Sequence, residues 1–193
     1  MTTALVPLAD GCEEIEAVTI IDLLRRAGVD VTTAGLTPGI VTASRGVKLE
    51  PDTVLDAVMD HDFDLIVLPG GGGGADRLRA DARILDMLKR QARAGRWLAA
   101  ICAAPKVLAA AGLLDGRQAT SFPGHLEGLE IPDLGYSEQP VVRDGNLLTS
   151  RGPGTAMDFA LALIEVLEGA GKRDEVEAAL QRPAQATSSD WVV

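Results

Sequence analysis

Cys102 ends a short apolar run, Trp97-Leu98-Ala99-Ala100-Ile101, and is followed by Ala103-Ala104-Pro105. The run reads as a buried strand that stops at the cysteine. Pro105 suits the first turn of a helix, where its missing N–H would have had no partner. Val107-Leu108-Ala109-Ala110-Ala111-Gly112 continues that helix to a C-cap glycine. A cysteine on a tight strand-to-helix turn has its thiol lifted off the sheet edge, the sulfur analogue of a nucleophile elbow. The positive end of the following helix is expected to favour thiolate over thiol. The competing reading is a buried structural cysteine; the elbow setting favours the reactive one.

Histidine is the usual base for such a nucleophile. The chain has two, His61 and His125. His61 precedes a strand and belongs at the opposite edge of the sheet. Nothing in its spacing ties His125 to Cys102, so both read as surface histidines and a Cys-His-Asp triad is not supported. A carboxylate from the first strand-to-helix turn reaches the same edge, with Glu13, Glu14 and Glu16 as candidates. Acids at a helix start ordinarily face water and complement the dipole. Glu16 differs in lying one turn in, sharing a face with Glu13. Burial there would raise its pKa and let it hold or shuttle a proton beside a thiolate. Pro69-Gly70-Gly71-Gly72-Gly73-Gly74 is neither a P-loop nor a dinucleotide fingerprint. Backbone N–H groups of Gly70 and Gly71 forming an anion pocket beside Cys102 fit it better.

The elements that position these residues follow in order. Ala4–Ala9 is a short buried strand, broken by Asp10-Gly11. A helix begins at Cys12-Glu13-Glu14, presents Ile15, Val18, Ile20, Leu23, Leu24 and Ala27 as its apolar face, and ends at Gly28. Val29–Gly35 completes a βαβ unit, which implies a mostly parallel sheet. Ile40–Leu49 suits a hairpin off the main sheet, Pro51–Met59 a short helix and Phe63–Leu68 a buried strand. Asp81–Ala94 reads as a helix, Ala119–Pro123 as a further short strand and Val141–Thr149 as a hairpin with Asp144-Gly145 at its turn. A long helix runs to Leu167 and a last one spans Arg173–Leu180; the polar tail from Pro183 is expected to fray. The result is a single-domain, doubly wound α/β sandwich, whose ligands bind at the carboxyl ends of the strands. Cys102, the glycine run and the turn before Glu13 all fall at that edge.

Composition narrows the function further. The 193 residues carry a net charge of −10 and only 3% aromatics. Neither concentrated Lys and Arg for phosphate contacts nor stacking platforms are present, which disfavours nucleic-acid binding. No window is long and apolar enough to span a membrane, and the N-terminus lacks the charged segment of a signal peptide. Two cysteines, Cys12 and Cys102, make no disulfide framework and suit a reducing cytoplasm.

Four segments then carry a resemblance: Ala4 to Val18 with its Gly11-Cys12-Glu13-Glu14-Ile15-Glu16, Leu68-Pro69-Gly70-Gly71, Ala99-Ala100-Ile101-Cys102-Ala103-Ala104-Pro105, and Thr149-Ser150-Arg151-Gly152-Pro153-Gly154-Thr155. In order and spacing they resemble the ThiJ/PfpI superfamily, and within it the subgroup containing DJ-one and YajL, from the N-terminus to about Leu167. The resemblance implies a flavodoxin-like sandwich that forms a homodimer, with Cys102 as the reactive cysteine and Glu16 as its protonated partner. It makes Gly70, Gly71 and Ala103 the pocket N–H donors, and sets Arg45 and Arg26 near the dimer and site rim. It also implies that Cys102 oxidises readily to sulfinic acid, held by Glu16. Cys12 is expected to be structural or at the dimer contact.

Activities attributed to the family are glutathione-independent glyoxalase, deglycation of methylglyoxal- and glyoxal-modified proteins and nucleotides, redox-sensing chaperone and, in another branch, peptidase. The peptidase branch has a histidine directly after the cysteine, where this chain has Ala103, so proteolysis is disfavoured. Some members have a histidine where this chain has Phe122, which weakens a triad further. The expectation is a cysteine-dependent glyoxalase or deglycase acting on methylglyoxal, glyoxal and their adducts, with no metal or cofactor. The alternative is a redox-responsive chaperone or oxidative-stress sensor.

Overall fold

The structure is a computed structural model and describes residues 1–182; the tail from Pro183 lies outside them. Strand β1 (Thr3–Leu8) leads into helix α1 (Glu14–Arg26) and returns as β2 (Asp30–Gly35). A small hairpin of β3 (Val41–Thr42) and β4 (Lys48–Leu49) stands off the main sheet, as its alternating sequence suggests. Then come β5 (Thr53–Val54), the one-turn α2 (Leu55–Val58), β6 (Leu65–Leu68), α3 (Gly72–Ala80), α4 (Ala82–Arg93), β7 (Trp97–Ile101) and α5 (Pro105–Ala110). β8 (Gln118–Ala119) and β9 (Gly135–Tyr136) pair with each other away from the main sheet. β10 (Val141–Asp144), β11 (Leu147–Ser150), a 3₁₀ turn (Pro153–Thr155), α6 (Ala156–Glu168) and α7 (Ala170–Ala179) complete the chain.

The seven-stranded sheet has the order β10-β11-β7-β6-β1-β2-β5, and only the edge strand β10 runs antiparallel. Its centre is apolar on both faces, with every residue of β6 buried, as a sheet covered by helices on both sides requires. From β1 the chain steps outward to β2 and β5, then crosses back to β6 on the other side of β1. Right-handed crossovers therefore place α1 on one face and α3, α4 and α5 on the other. α6 packs on α1 and on α7, closing the first face. The reversal between β1 and β6 opens a crevice at the carboxyl ends of these strands. The β1–β6 ladder pairs only Ala4 with Leu65 and Leu5 with Ile66. Beyond it Pro7 has no N–H to donate, so it cannot extend that ladder.

Four local expectations change. The segment predicted as a helix over Pro51–Met59 starts as edge strand β5, because the Asp52 carboxylate accepts both the N–H and the hydroxyl of Thr33 on β2, at 2.9 and 2.8 Å. Ala119–Pro123 leaves extended pairing after Ala119; Phe122 N–H instead donates to the Cys102 carbonyl at 2.9 Å. The last helix begins at Ala170, earlier than Arg173. Finally, α1 does not bury all of its apolar residues. Ala17, Ile20, Leu23 and Leu24 face the core, whereas Ile15 and Val18 point outward, 56% and 46% exposed, and Glu14 and Glu16 take buried positions in their place.

Candidate active site

Three turns meet in the crevice, one after each of β1, β6 and β7. After β1, Gly11 adopts φ +80° and lies against Gly73 and Gly74, closely enough that a β-carbon would sit 3.2 Å from their backbone. Glu13 then caps α1: its carboxylate accepts the Glu16 N–H at 2.8 Å, and its own N–H donates to the Gly70 carbonyl at 2.9 Å. That bond ties the first turn to the second. After β7, Cys102 sits at φ +63°, a left-handed conformation that costs a non-glycine residue roughly 1–3 kcal/mol. The elbow is held by Cys102 N–H to Ser150 O on β11 at 2.9 Å and by Phe122 N–H to Cys102 O. The sharp turn expected of a nucleophile elbow is thus present.

The side chains converge. Glu16 is fully buried and its Oε2 accepts the Gly70 N–H at 2.8 Å. A β-carbon on Gly70 would lie 2.6 Å from both Cys102 Cβ and Glu16 Oε2, so only glycine lets the thiol and the carboxyl approach across it. Glu16 Oε1 is buried with no oxygen or nitrogen partner among the described residues. The Cys102 thiol lies beside this carboxyl, close enough that each group shifts the other's proton affinity. The N–H groups of Gly71 and Ala103 also point at the sulfur.

Burial sets the electrostatics. It raises the Glu16 carboxyl to about 7, against the opposing hydrogen bonds from Cys102 and Gly70. Burial first, and then the negative charge of Glu16, push the Cys102 thiol up, while the Gly71 and Ala103 amides pull it down. The expectation that the helix start lowers this thiol is therefore overturned. α5 has only six residues, so its dipole is too small to outweigh the loss of water around a residue that is only 8% exposed. The two groups titrate as one unit. When Glu16 carries the proton, its charge no longer opposes a thiolate and its O–H can donate to one.

Cys102, Glu16, Gly71 and Ala103 stand together as the sequence suggests, but Gly70 has another part: its N–H is engaged by Glu16 and faces no oxyanion. Arg45 is tied to the start of α1, its N–H donating to the buried Glu14 carboxylate at 2.7 Å while Ser44 donates to the other oxygen at 2.8 Å. Arg26 is not at the rim. It ends α1, ten residues and so about 15 Å along the helix from Glu16, paired with Asp22 at 2.7 Å. Cys12 is fully buried, with its thiol pushed up to about 11 chiefly by burial. Gly74 packs so closely on its backbone that a β-carbon would sit 2.7 Å away, so Cys12 is structural.

His61 is exposed, as expected. His125 is half-buried, with its ring edge-on to Phe122 and burial lowering its pKa. Lys106 is an addition that sequence reasoning does not single out: it is 7% exposed and bridges α5 to Asp76 of α3 at 2.7 Å. Its position directly after Pro105 in a helix's first turn is the available signal. The glycine run is also not all loop, since Gly72, Gly73 and Gly74 form the first turn of α3.

The Glu16 shift has a consequence for stability. A carboxyl raised from 4.5 to about 7 by folding retains its proton longer in the native state, so stability falls as pH rises through that window. Glu16→Gln keeps an acceptor for Gly70 N–H and removes the titration. Between about pH 5 and about pH 8 the variant should gain on the native protein by on the order of 2–3 kcal/mol, read from urea unfolding at both values. A constant difference across that range would show that Glu16 does not titrate upward.

The DJ-1/PfpI family model matches residues 2–166. Protein DJ-1 homolog B of Arabidopsis thaliana is 48% identical over 170 residues, 87% of this chain, although the chain spans only 38% of that relative. Protein dj-1beta of Drosophila melanogaster is 47% identical over 176 residues, 90% of this chain and 94% of its own length. Its crystal structure aligns with a TM-score of 0.90 over 94% of this chain and 98% of that one, at 45% identity. A Caenorhabditis elegans protein named glutathione-independent glyoxalase DJR-1.2 is 36% identical over 167 residues, covering 86% and 89% of the two chains. The match runs through all three turns of the crevice and most of the sheet, and the chain belongs to the DJ-1/PfpI family.

Proposed function

We propose that this chain is a glutathione-independent glyoxalase that converts methylglyoxal to lactate and glyoxal to glycolate, and that it also acts on the adducts these aldehydes form with amino groups. The observation that carries this reading is the buried Glu16 carboxyl, with one oxygen fixed by Gly70, the other without a partner among the described residues, and the elbow thiol beside it. The glyoxalase name of the C. elegans relative supports it.

In the proposed sequence, Glu16 accepts the thiol proton as Cys102 sulfur bonds to the aldehyde carbon, and returns that proton to the new alkoxide. A hemithioacetal results. Glu16 then takes the proton from that same carbon while the neighbouring ketone oxygen gains one, giving an enediol. Glu16 returns its proton to the neighbouring carbon as the first carbon's hydroxyl loses its own, which converts the hydroxy ketone into a thioester. Water cleaves the thioester, releasing lactate and restoring the thiol; the sum is methylglyoxal plus water to lactate. A carboxyl at about 7 suits both halves of this shuttle near neutral pH. The amides of Gly71 and Ala103, which stabilise negative charge on the sulfur, are the donors this reading assigns to the developing oxyanion.

The outward Ile15 and Val18, adjacent on one face of α1, support a homodimer across that helix. The two free thiols support a cytoplasmic setting. Among the described residues no helix is long and apolar enough to cross a membrane.

The test is lactate formation from methylglyoxal by the native protein without glutathione. Lactate appearing in step with loss of methylglyoxal is the expected result. Absence of lactate, with ready conversion of Cys102 to sulfinic acid by mild peroxide, would replace the enzyme with a redox sensor.

A further inference from the structure

A second cleft, of about 350 Å³, opens at the carboxyl ends of β1 and β2, beside the glycine turn. Its volume lies within the range of small-ligand sites, and it opens at the same carboxyl-end edge of the sheet as the crevice, one strand over from the reversal between β1 and β6. One wall is apolar, made by Leu8, Leu36 and Ile40. Ile40 is 59% exposed, the most exposed large apolar side chain after Met1 among the described residues.

The charges in this cleft are not all neutralised within the protein. Arg83 is engaged by Asp81 at 2.5 Å, by Asp56 at 2.6 Å and by the Leu36 carbonyl at 3.0 Å. Arg77 is different. Its Nη1 donates to the carbonyls of Asp10 and Gly73, at 3.0 and 3.1 Å, and it pairs with no carboxylate among the described residues. Those two bonds fix the guanidinium by one nitrogen and leave its Nε–Nη2 edge, the fork that fits a carboxylate with two parallel bonds, without a protein acceptor. Asp10 presents the complementary group. Its Oδ1 accepts the Thr42 N–H at 2.7 Å, and Oδ2 has no donor among the described residues.

We infer that this cleft binds a free α-amino acid with an apolar side chain, its carboxylate on the Arg77 fork, its ammonium on Asp10 and its side chain against Leu8, Leu36 and Ile40. One unpaired cation and one unpaired anion beside an apolar wall match a zwitterion with an apolar body better than they match a simple anion, which Asp10 would repel. The inference is independent of the Cys102 chemistry.

The test titrates L-leucine into the native full chain and follows backbone amide shifts by NMR. Saturable shifts confined to residues 8–11, 36–42 and 77–83, with a Kd of about 1 mM, are expected for a small open cleft. 4-Methylpentanoate, which lacks the ammonium, should bind several-fold more weakly. Asp10→Asn preserves the acceptor for Thr42 N–H, and Ile40→Ser alters an exposed side chain. Both should melt like the native protein and each should weaken leucine binding about five- to tenfold. Arg77→Met should abolish it. No saturable shifts, shifts centred on Cys102 instead, or equal binding of 4-methylpentanoate would each overturn the assignment.

Discussion

Replacing Cys102 with serine is expected to lower kcat/KM for lactate formation from methylglyoxal by about 10⁴-fold or more. The replacement is small and the elbow should survive it. Serine accepts the same left-handed φ, fills nearly the same space, and retains the backbone bonds to Ser150 and Phe122. Stability should therefore change by less than about 1 kcal/mol. What disappears is a polarisable, strongly nucleophilic sulfur that gives up its proton to Glu16 as it bonds to carbon; a serine hydroxyl in the same buried place is a weaker nucleophile and a weaker acid. Glu16→Gln leaves the sulfur and the Gly70 bond in place but ends proton transfer, and should cost about 10²–10⁴-fold. Cys12 cannot stand in, being fully buried with its thiol raised to about 11. Parallel lactate assays and urea melts on both variants check this. A stably folded Cys102→Ser variant within tenfold of the native rate would mean that the nucleophile lies elsewhere.

What can be read from the chain alone tracks the range over which each signal acts. The strand-turn-helix alternation, the hairpin at Val41–Leu49 and the elbow at Cys102 are local patterns, and each stands where its spacing places it. Glu16 can be singled out by its position one turn into α1, because burial there follows from helix geometry. The features that escape the sequence all involve partners distant along it. Pro51–Met59 looks helical until Thr33, 19 residues earlier, bonds Asp52 and draws the segment into the sheet edge. Ile15 and Val18 resemble core positions until the neighbouring Glu14 is bound by Ser44 and Arg45, some 30 residues on, and takes the inward place. The thiol's proton affinity is misjudged when the local dipole is weighed without the burial that the assembled crevice imposes. Gly70 resembles an oxyanion donor because its bond to Glu16 spans 54 residues and has no sequence signature.

Gly71 offers the sharpest test of how tightly those long-range contacts are drawn. It occupies φ +86°, and a β-carbon there would strike the Gly11 carbonyl oxygen, lie 2.6 Å from the Glu13 nitrogen and 2.7 Å from the Cys12 carbonyl carbon. All three are backbone atoms, so no side chain can swing aside. The Glu13 N–H involved is the one that binds Gly70 O and links the first turn to the second. Gly71→Ala is therefore expected to destabilise the protein by about 3–5 kcal/mol, combining positive-φ strain with separation of the two turns. The next residue supplies the control. Gly72 has ordinary φ, nothing within 4 Å of where a β-carbon would stand, and a place in the first turn of α3. Gly72→Ala should be neutral or stabilise by up to about 1 kcal/mol, since alanine is the better helix former. Urea unfolding of the two variants measures both. A loss below about 1 kcal/mol at Gly71, or losses of equal size at the two positions, would mean that the two turns do not touch. A large loss at Gly71 alone would place the cause in what Gly72 lacks, the positive φ and the backbone contact, because the two substitutions add the same methyl group to adjacent glycines.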